Sequence, residues 1–213
     1  MICTVVGAMP ENDLVIPPQS FLIAADKGLE QLQTRGVKPD LTVGDFDSLG
    51  FVPEGTAVVR HPIRKNDTDM LLAVREGLSR GFRKFLLYGG VGGRLDHTLA
   101  NIQTLLFLRQ NGAEGILFGN GTAAALLENE TVRLPAKDSG DVSVFAFGGD
   151  AHGVCIRGLS YTLEDGTLTP DFPLGVSNSF CGNAAEIVVR KGKLLLVWKT
   201  AASEAAAFLH SEN

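Results

Sequence analysis

Positive charge is in short supply: 19 Lys and Arg stand against 24 Asp and Glu, a formal net charge of -5. A surface of that sign does not attract a duplex phosphate backbone, which excludes broad nucleic-acid binding as a default role. Aromatic residues make up 7%, with one Trp and two Tyr, so no basic stripe interleaved with stacking rings is available for a single strand either. Cysteine is scarce too. Cys3, Cys155 and Cys181 are odd in number and form no CxxC pair, which argues against a disulfide framework. With His61, His97, His152 and His210 they show no local zinc spacing. No apolar run approaches the ~18 to 20 residues that a membrane-crossing helix needs, and the opening MICTVVGAMPEND lacks a basic segment ahead of a long apolar one. The expectation is a cytoplasmic protein with no membrane or nucleic-acid partner.

What is present describes a folded chain rich in turns. Hydrophobic residues make up 45% and charged residues 20%, with 25 glycines in 213 residues, enough for one large domain or two small ones. Up to about residue 125, apolar runs alternate with helix-like stretches. ICTVV, FLIAA, DLTV, FRKFLLY and GILFG read as buried strands. GLEQLQTRG, TDMLLAVREGLSRG and DHTLANIQTLLFLRQNG read as helices, the first closed by Gly36. Strand-to-helix succession of this kind predicts an α/β fold, a mostly parallel sheet in three layers over 1–125. From 126 to 213 the pattern changes to short segments rich in Val, Leu and aromatics, TVRLP, DVSVFAFGG, HGVCIRG and LSYTLEDGTL among them. These predict a small all-β sandwich or barrel that includes an EIVVRKGKLLLVW hairpin and ends in a helical turn, ASEAAAFLH.

Polar clusters fall at the expected strand ends. In VGDFDSLG, Asp45 and Asp47 are one residue apart after DLTV, so in extended backbone both carboxylates face one way. They repel unless a cation or a donor lies between them; an Asx-turn that caps the loop is the purely structural alternative. In RKNDTDMLL, Asn66 and Asp69 are three apart at a helix start, with Thr68 or Asp67 as cap. Oxygen ligands of this kind suit magnesium, which is held by one or two carboxylates and completed by substrate phosphates. Such an ion also lets an acidic protein bind an anion. LLYGGVGGRLDHTLAN runs a strand through glycines into a helix, offering backbone N–H groups and Arg94 to a phosphate. Asp96 and His97 there serve a ligand or merely the helix end, and Asp26 in AADKG anchors a ligand hydroxyl or begins a helix.

Taken together, AADKG (24–28), PDLTVGDFDSLG (39–50), KNDTD (65–69), GGRLDHTLAN (92–101) and GVSN (175–178) resemble the thiamine pyrophosphokinase family, in family order and over nearly the whole chain. The resemblance implies a nucleotide-binding α/β domain followed by a thiamine-binding and dimerising sandwich. It further implies a homodimer with active sites at the subunit interface, and transfer of the pyrophosphoryl group of ATP to the hydroxyl of thiamine, giving thiamine diphosphate and AMP. It casts Asp45, Asp47 and Asp69 as magnesium ligands and catalytic groups, with Asp96 beside them in that role. Asp26, Lys65, Asn66, Arg94, His97 and Asn101 fall on the ATP and magnesium side; Tyr161, Ser177 and Asn178 fall in the thiamine pocket. Two departures stand out. The family's Lys-Asp-x-Thr-Asp reads Lys65-Asn66-Asp67-Thr68-Asp69, where Asn66 brings a carbonyl oxygen but no charge. Lys27 stands where many relatives carry glycine. A pyrophosphokinase for another heterocyclic alcohol and a non-catalytic nucleotide- or thiamine-binding protein are the competing readings.

Overall fold

The opening strand β1 (Ile2–Val6) is buried at every position, which a strand achieves only when covered on both faces, and its unbroken apolar run is the cause. A computed structural model describes residues 1–44, 56–60 and 67–209. The chain forms two compact units, Met1–Gly121 and Thr122–Asn213.

In the first unit β2 (Phe21–Ala25), β3 (Leu41–Gly44), β4 (Ala57–Arg60), β5 (Lys84–Tyr88) and β6 (Glu114–Gly119) join β1 in the order β6-β5-β1-β2-β3-β4. Every pairing is parallel. Helices α1 (Gly28–Gln33), α2 (Asp69–Ser79) and α3 (Leu95–Gln110) make the crossovers. Right-handed connections put α1 on one face and α2 and α3 on the other, where the latter two pack together. The expected three-layer α/β arrangement is therefore present. The order runs outward from β1 to β4 and then restarts at β5, so the switch point lies between β1 and β5, where open parallel sheets bind ligands.

Two glycines make that switch point possible. A Cβ on Gly28 would lie 1.8 Å from the Val6 carbonyl oxygen, so only glycine lets α1 start against the end of β1. Gly89 has φ +69°, and a Cβ there would meet the Gly7 carbonyl oxygen at 2.7 Å. Cys3 sits fully buried in β1, and burial pushes its thiol up to about 12, which makes it packing rather than a nucleophile.

The strands of the second unit fall into two antiparallel sets of four. One has the order β12 (Asn178–Ser179), β9 (Asp141–Ala146), β14 (Lys193–Lys199), β7 (Thr122–Glu128). The other runs β11 (Leu163–Leu168), β10 (Ala151–Arg157), β13 (Ala185–Val188), β8 (Thr131–Leu134). Alternating burial along β8 and β9 marks one wet and one covered face, as in a sandwich. Trp198 is packed against Phe208 of helix α4 (Ala202–Phe208), their rings 5.3 Å apart. The expected hairpin between EIVV and KLLLVW does not form. β13 pairs with β10 and β8, whereas β14 pairs with β7 and β9, so the Arg190–Gly192 turn carries the chain from one sheet to the other. The segment TAAALLE, left unassigned by its composition, is β7, and the expected division after residue 125 falls inside that strand.

Candidate functional site

At the switch point the loops beyond β1, β2 and β5 and the first turns of α2 and α3 enclose a cavity of about 310 Å³, within the size range of small-ligand sites. Its polar lining is Asp26, Thr68, Asp69, Arg94, His97 and Asn101. Five of the residues expected on the nucleotide and metal side, Asp26, Asp69, Arg94, His97 and Asn101, are thus brought together. Asp45, Asp47, Lys65 and Asn66 lie outside the described residues.

Each lining residue has a local cause. Asp26 follows β2 with φ 47°, a left-handed conformation that Asp tolerates better than most residues, and its N–H donates to the Val43 carbonyl at 2.8 Å. A Cβ on Gly44 would come within 3.3 Å of the Asp26 Cα, so the end of β3 adjoins Asp26 in backbone contact, and Asp45 follows Gly44 in the chain. Thr68 is the cap of α2, its hydroxyl accepting from the Leu71 N–H at 3.2 Å. That leaves Asp69 as the first helical residue, where the positive end of the helix favours a carboxylate. Asp67 is engaged elsewhere, with its Oδ2 lying 3.0 Å from Arg75 Nε.

Around α3, Arg94 donates to Asp96 through Nη2 at 2.6 Å and Nε at 3.1 Å, and Asp96 Oδ1 also accepts from the His97 N–H at 3.0 Å. The Arg94 guanidinium holds the Asp96 carboxyl below the usual carboxylate range, which makes it a weaker proton acceptor. Asp96 is exposed and is not a cavity-lining residue. Asn101 is buried, and its Nδ2 donates to the Gly90 carbonyl at 2.8 Å, so this amide holds the glycine loop that walls the cavity. Lys27, the other departure, is exposed and stands outside the lining.

Among the described residues no three His, Cys, Asp or Glu side chains cluster as a metal site. The chemistry of the donor set nonetheless fits a hard cation, because Asp26 and Asp69 face one cavity and magnesium takes one or two carboxylates with phosphate oxygens for the remainder.

The second unit holds its own cavity, about 450 Å³, lined by Ile156, Tyr161, Leu163, Leu174, Val176, Ser177 and Asn178 among others. Tyr161, Ser177 and Asn178, dispersed over the sequence, meet here. Tyr161 is 72% exposed, which rules out the ordinary core aromatic and leaves its ring free on the wall. Asn178 is buried: its Oδ1 accepts the Tyr161 N–H at 2.9 Å and its Nδ2 donates to the Tyr161 carbonyl at 2.6 Å. Ser177 has φ 62° and its N–H donates to Ser143 Oγ at 3.1 Å, which pins this loop to β9. No lining side chain is charged. Phe172, Leu174 and Val176 join Tyr161 as exposed apolar side chains; the run DFPLGV carried that signal without being singled out.

A doubly wound α/β unit with an acidic switch-point cavity, followed by a β-sandwich with an uncharged, aromatic-walled cavity, defines a two-domain phosphate-handling protein. Residues 13–117 match the family model described as thiamin pyrophosphokinase, catalytic domain, and residues 131–194 the one described as thiamin pyrophosphokinase, vitamin B1 binding domain. A thiamine pyrophosphokinase of Bacillus subtilis is 26% identical over 192 residues, which cover 84% of this chain and 86% of that one. A crystal structure of the Bacillus subtilis thiamine pyrophosphokinase superposes with a TM-score of 0.83 at 23% identity, covering 94% of this chain and 99% of the other. A thiamin pyrophosphokinase family protein of Enterococcus faecalis gives 0.81 at 25% identity, covering 93% and 98%. The chain belongs to the thiamine pyrophosphokinase family.

Proposed function

We propose that this chain transfers the pyrophosphoryl group of ATP to the primary hydroxyl of thiamine, forming thiamine diphosphate and AMP. The observation that supports it is the pair of cavities: one gathers Asp26, Asp69, Arg94 and His97 in the first unit, the other Tyr161, Ser177 and Asn178 in the second.

In this reading the nucleotide lies at the switch point. Arg94 meets phosphate oxygens, exchanging its surface pair with Asp96 for charge-assisted bonds to the ligand. Asp69, with Asp45 and Asp47, would hold magnesium, and Asp26 would border the phosphates. When bound, the ion orients the polyphosphate and offsets charge that builds up during transfer. The thiamine oxygen forms a bond to the β-phosphorus, the bond from that phosphorus to the oxygen bridging to the α-phosphate breaks, AMP leaves with that bridging oxygen and its electron pair, and the hydroxyl proton is released. The thiazolium cation rests on the ring face of Tyr161, an attraction that needs no carboxylate in the cavity. Four exposed apolar side chains beside this cavity, Tyr161, Phe172, Leu174 and Val176, support self-association as a homodimer. No helix among the described residues is long and apolar enough to cross a membrane, and the cysteines are free; the proposed place of work is the cytoplasm.

The test is purified protein with thiamine, ATP and magnesium, the nucleotides resolved by chromatography. AMP and thiamine diphosphate in equal amounts are expected. ADP with thiamine monophosphate would refute the transfer, and ligand binding without AMP would make the protein a non-catalytic binder. AMP formed only with another heterocyclic alcohol would move the acceptor assignment.

A further inference from the structure

We propose that Gln31 is a positioning residue for the nucleotide, building the β1 loop so that the Ala8 peptide N–H is left for an acceptor atom of that ligand. The proposal rests on the pyrophosphokinase reading, since it concerns how the cavity of the first unit takes its donor.

The loop Gly7–Ala8–Met9 follows β1 and lines the switch-point cavity. Its outer members are tied on both main-chain groups. The Gly7 N–H donates to the Tyr88 carbonyl at 2.8 Å and the Met9 N–H to the Gly89 carbonyl at 3.1 Å, fastening the loop to the end of β5. The two carbonyls go to one side chain. Gln31 Nε2 donates to Gly7 O and to Met9 O, both at 2.7 Å, and Gln31 Oε1 accepts the Glu11 N–H at 2.9 Å. A primary amide has two N–H donors and one carbonyl oxygen, so this side chain spends both donors and its acceptor on three alternate residues of one loop.

Glu11 continues the tie. It is 5% exposed, and its carboxylate accepts the Asp13 N–H at 3.1 Å and the Asn120 N–H at 2.9 Å. Arg35 donates to the Glu11 carbonyl and, at 2.9 Å, to the Gln31 carbonyl. Ala8 is the exception. It is exposed, lines the cavity, and among the described residues gives neither its N–H nor its carbonyl to another protein group. Fixing residues 7 and 9 on every polar group while leaving residue 8 open presents a rigid main-chain donor without any ordering cost when a ligand arrives. Of the three loop residues that line the cavity, Ala8 alone is exposed and keeps its main-chain groups unspent.

The experiment reads amide hydrogen exchange over residues 7–11 without ligand, together with dissociation constants for magnesium ATP and for thiamine, in wild type, Gln31→Leu and Gln31→Glu. Gln31→Leu removes all three bonds; Gln31→Glu keeps the length and the acceptor for Glu11 but sets a carboxylate oxygen against two carbonyls. Both are expected to speed exchange at Gly7 and Met9 and to weaken ATP by about tenfold, the scale of one lost buried hydrogen bond, with thiamine binding held within about twofold. In wild type, ATP without thiamine is expected to slow exchange of the Ala8 amide, which needs no variant to fold. Unchanged Ala8 exchange on ATP binding, an equal loss of thiamine affinity, or variants with normal loop exchange would each overturn the proposal. Wild-type protein that binds ATP but makes no thiamine diphosphate would refute the preceding reading alone, and these binding and exchange results would still decide this one.

Discussion

Asp67 and Arg75 are joined across the first two turns of α2, Oδ2 to Nε at 3.0 Å, and the same guanidinium lies 4.8 Å from the centre of the Phe107 ring on α3. The carboxylate that neighbours the neutral Asn66 is therefore committed to holding α2 against α3. It is not among the residues that line the switch-point cavity.

Asn66→Asp is accordingly expected to lower the magnesium concentration for half-maximal turnover by several-fold, since an added carboxylate strengthens a hard-cation site. Asp67→Asn should leave that concentration within about twofold, and lose no more than about 1 kcal/mol of stability for a partly exposed ion pair. A magnesium titration of the three proteins, followed by urea unfolding, checks both. An equal shift from Asp67→Asn would return that side chain to the metal shell.

Asp45→Asn, Asp47→Asn and Asp69→Asn should each reduce turnover by about 100-fold or more, on the scale of losing a charged stabiliser of a phosphoryl-transfer transition state. Melting temperatures should stay close to wild type. Steady-state rates over a magnesium series are the measurement, and full turnover at low magnesium would remove the residue concerned from the assignment.

On the acceptor side, Tyr161→Ala should raise the KM for thiamine about 2- to 30-fold, the worth of a cation–π contact of about 0.5 to 2 kcal/mol, and Tyr161→Phe should nearly restore it. Because the ring is exposed, neither variant should unfold the protein. Asn178→Ala differs in kind. It strands the Tyr161 N–H and carbonyl, so a stability loss of about 2 kcal/mol is expected together with the rise in KM.

The C-terminal helix supplies a pH dependence. Glu204 hydrogen-bonds to Lys137 and, at 2.6 Å, to Thr200, and the Lys137 ammonium, followed by the Thr200 hydroxyl, holds its carboxyl below its ordinary value of 4.5. A depressed folded value means that the stabilisation is complete above the unfolded value and disappears as pH falls through the folded one. The loss should therefore occur below about pH 4.5. Trp198, the single tryptophan, touches Phe208 of that helix and reports its detachment. An acid-induced fluorescence change that is absent in Glu204→Gln is expected, and an identical acid profile in the two proteins would refute it.

Much of the first unit was legible because its strands are buried on both faces and so read as unbroken apolar runs, as ICTVV and FLIAA do. AVVR, which forms β4, escaped because this edge strand is short and partly exposed. In the second unit, composition marked strands but could not choose their partners. EIVV and KLLLVW each fit a strand on either side of a Gly-containing turn, and only the packing of two sheets decides that they separate. The site divides in the same way. Asp26, Asp69 and Tyr161 announce themselves by residue type at strand ends or in a motif. Gln31 and Glu11 do not, since their partners are main-chain groups 20 to 24 residues away for Gln31 and 109 for Glu11.

The missing side chain at Gly28 governs more than its own turn. Because α1 can approach the last residue of β1 only where no methyl intrudes, the reach of Gln31, one helical turn further on, is set at position 28. Enlarging residue 28 would lift the helix and carry the amide out of range of Gly7 and Met9. The two positions should therefore vary as a pair through evolution, a long amide at 31 persisting only in lineages that keep glycine at 28.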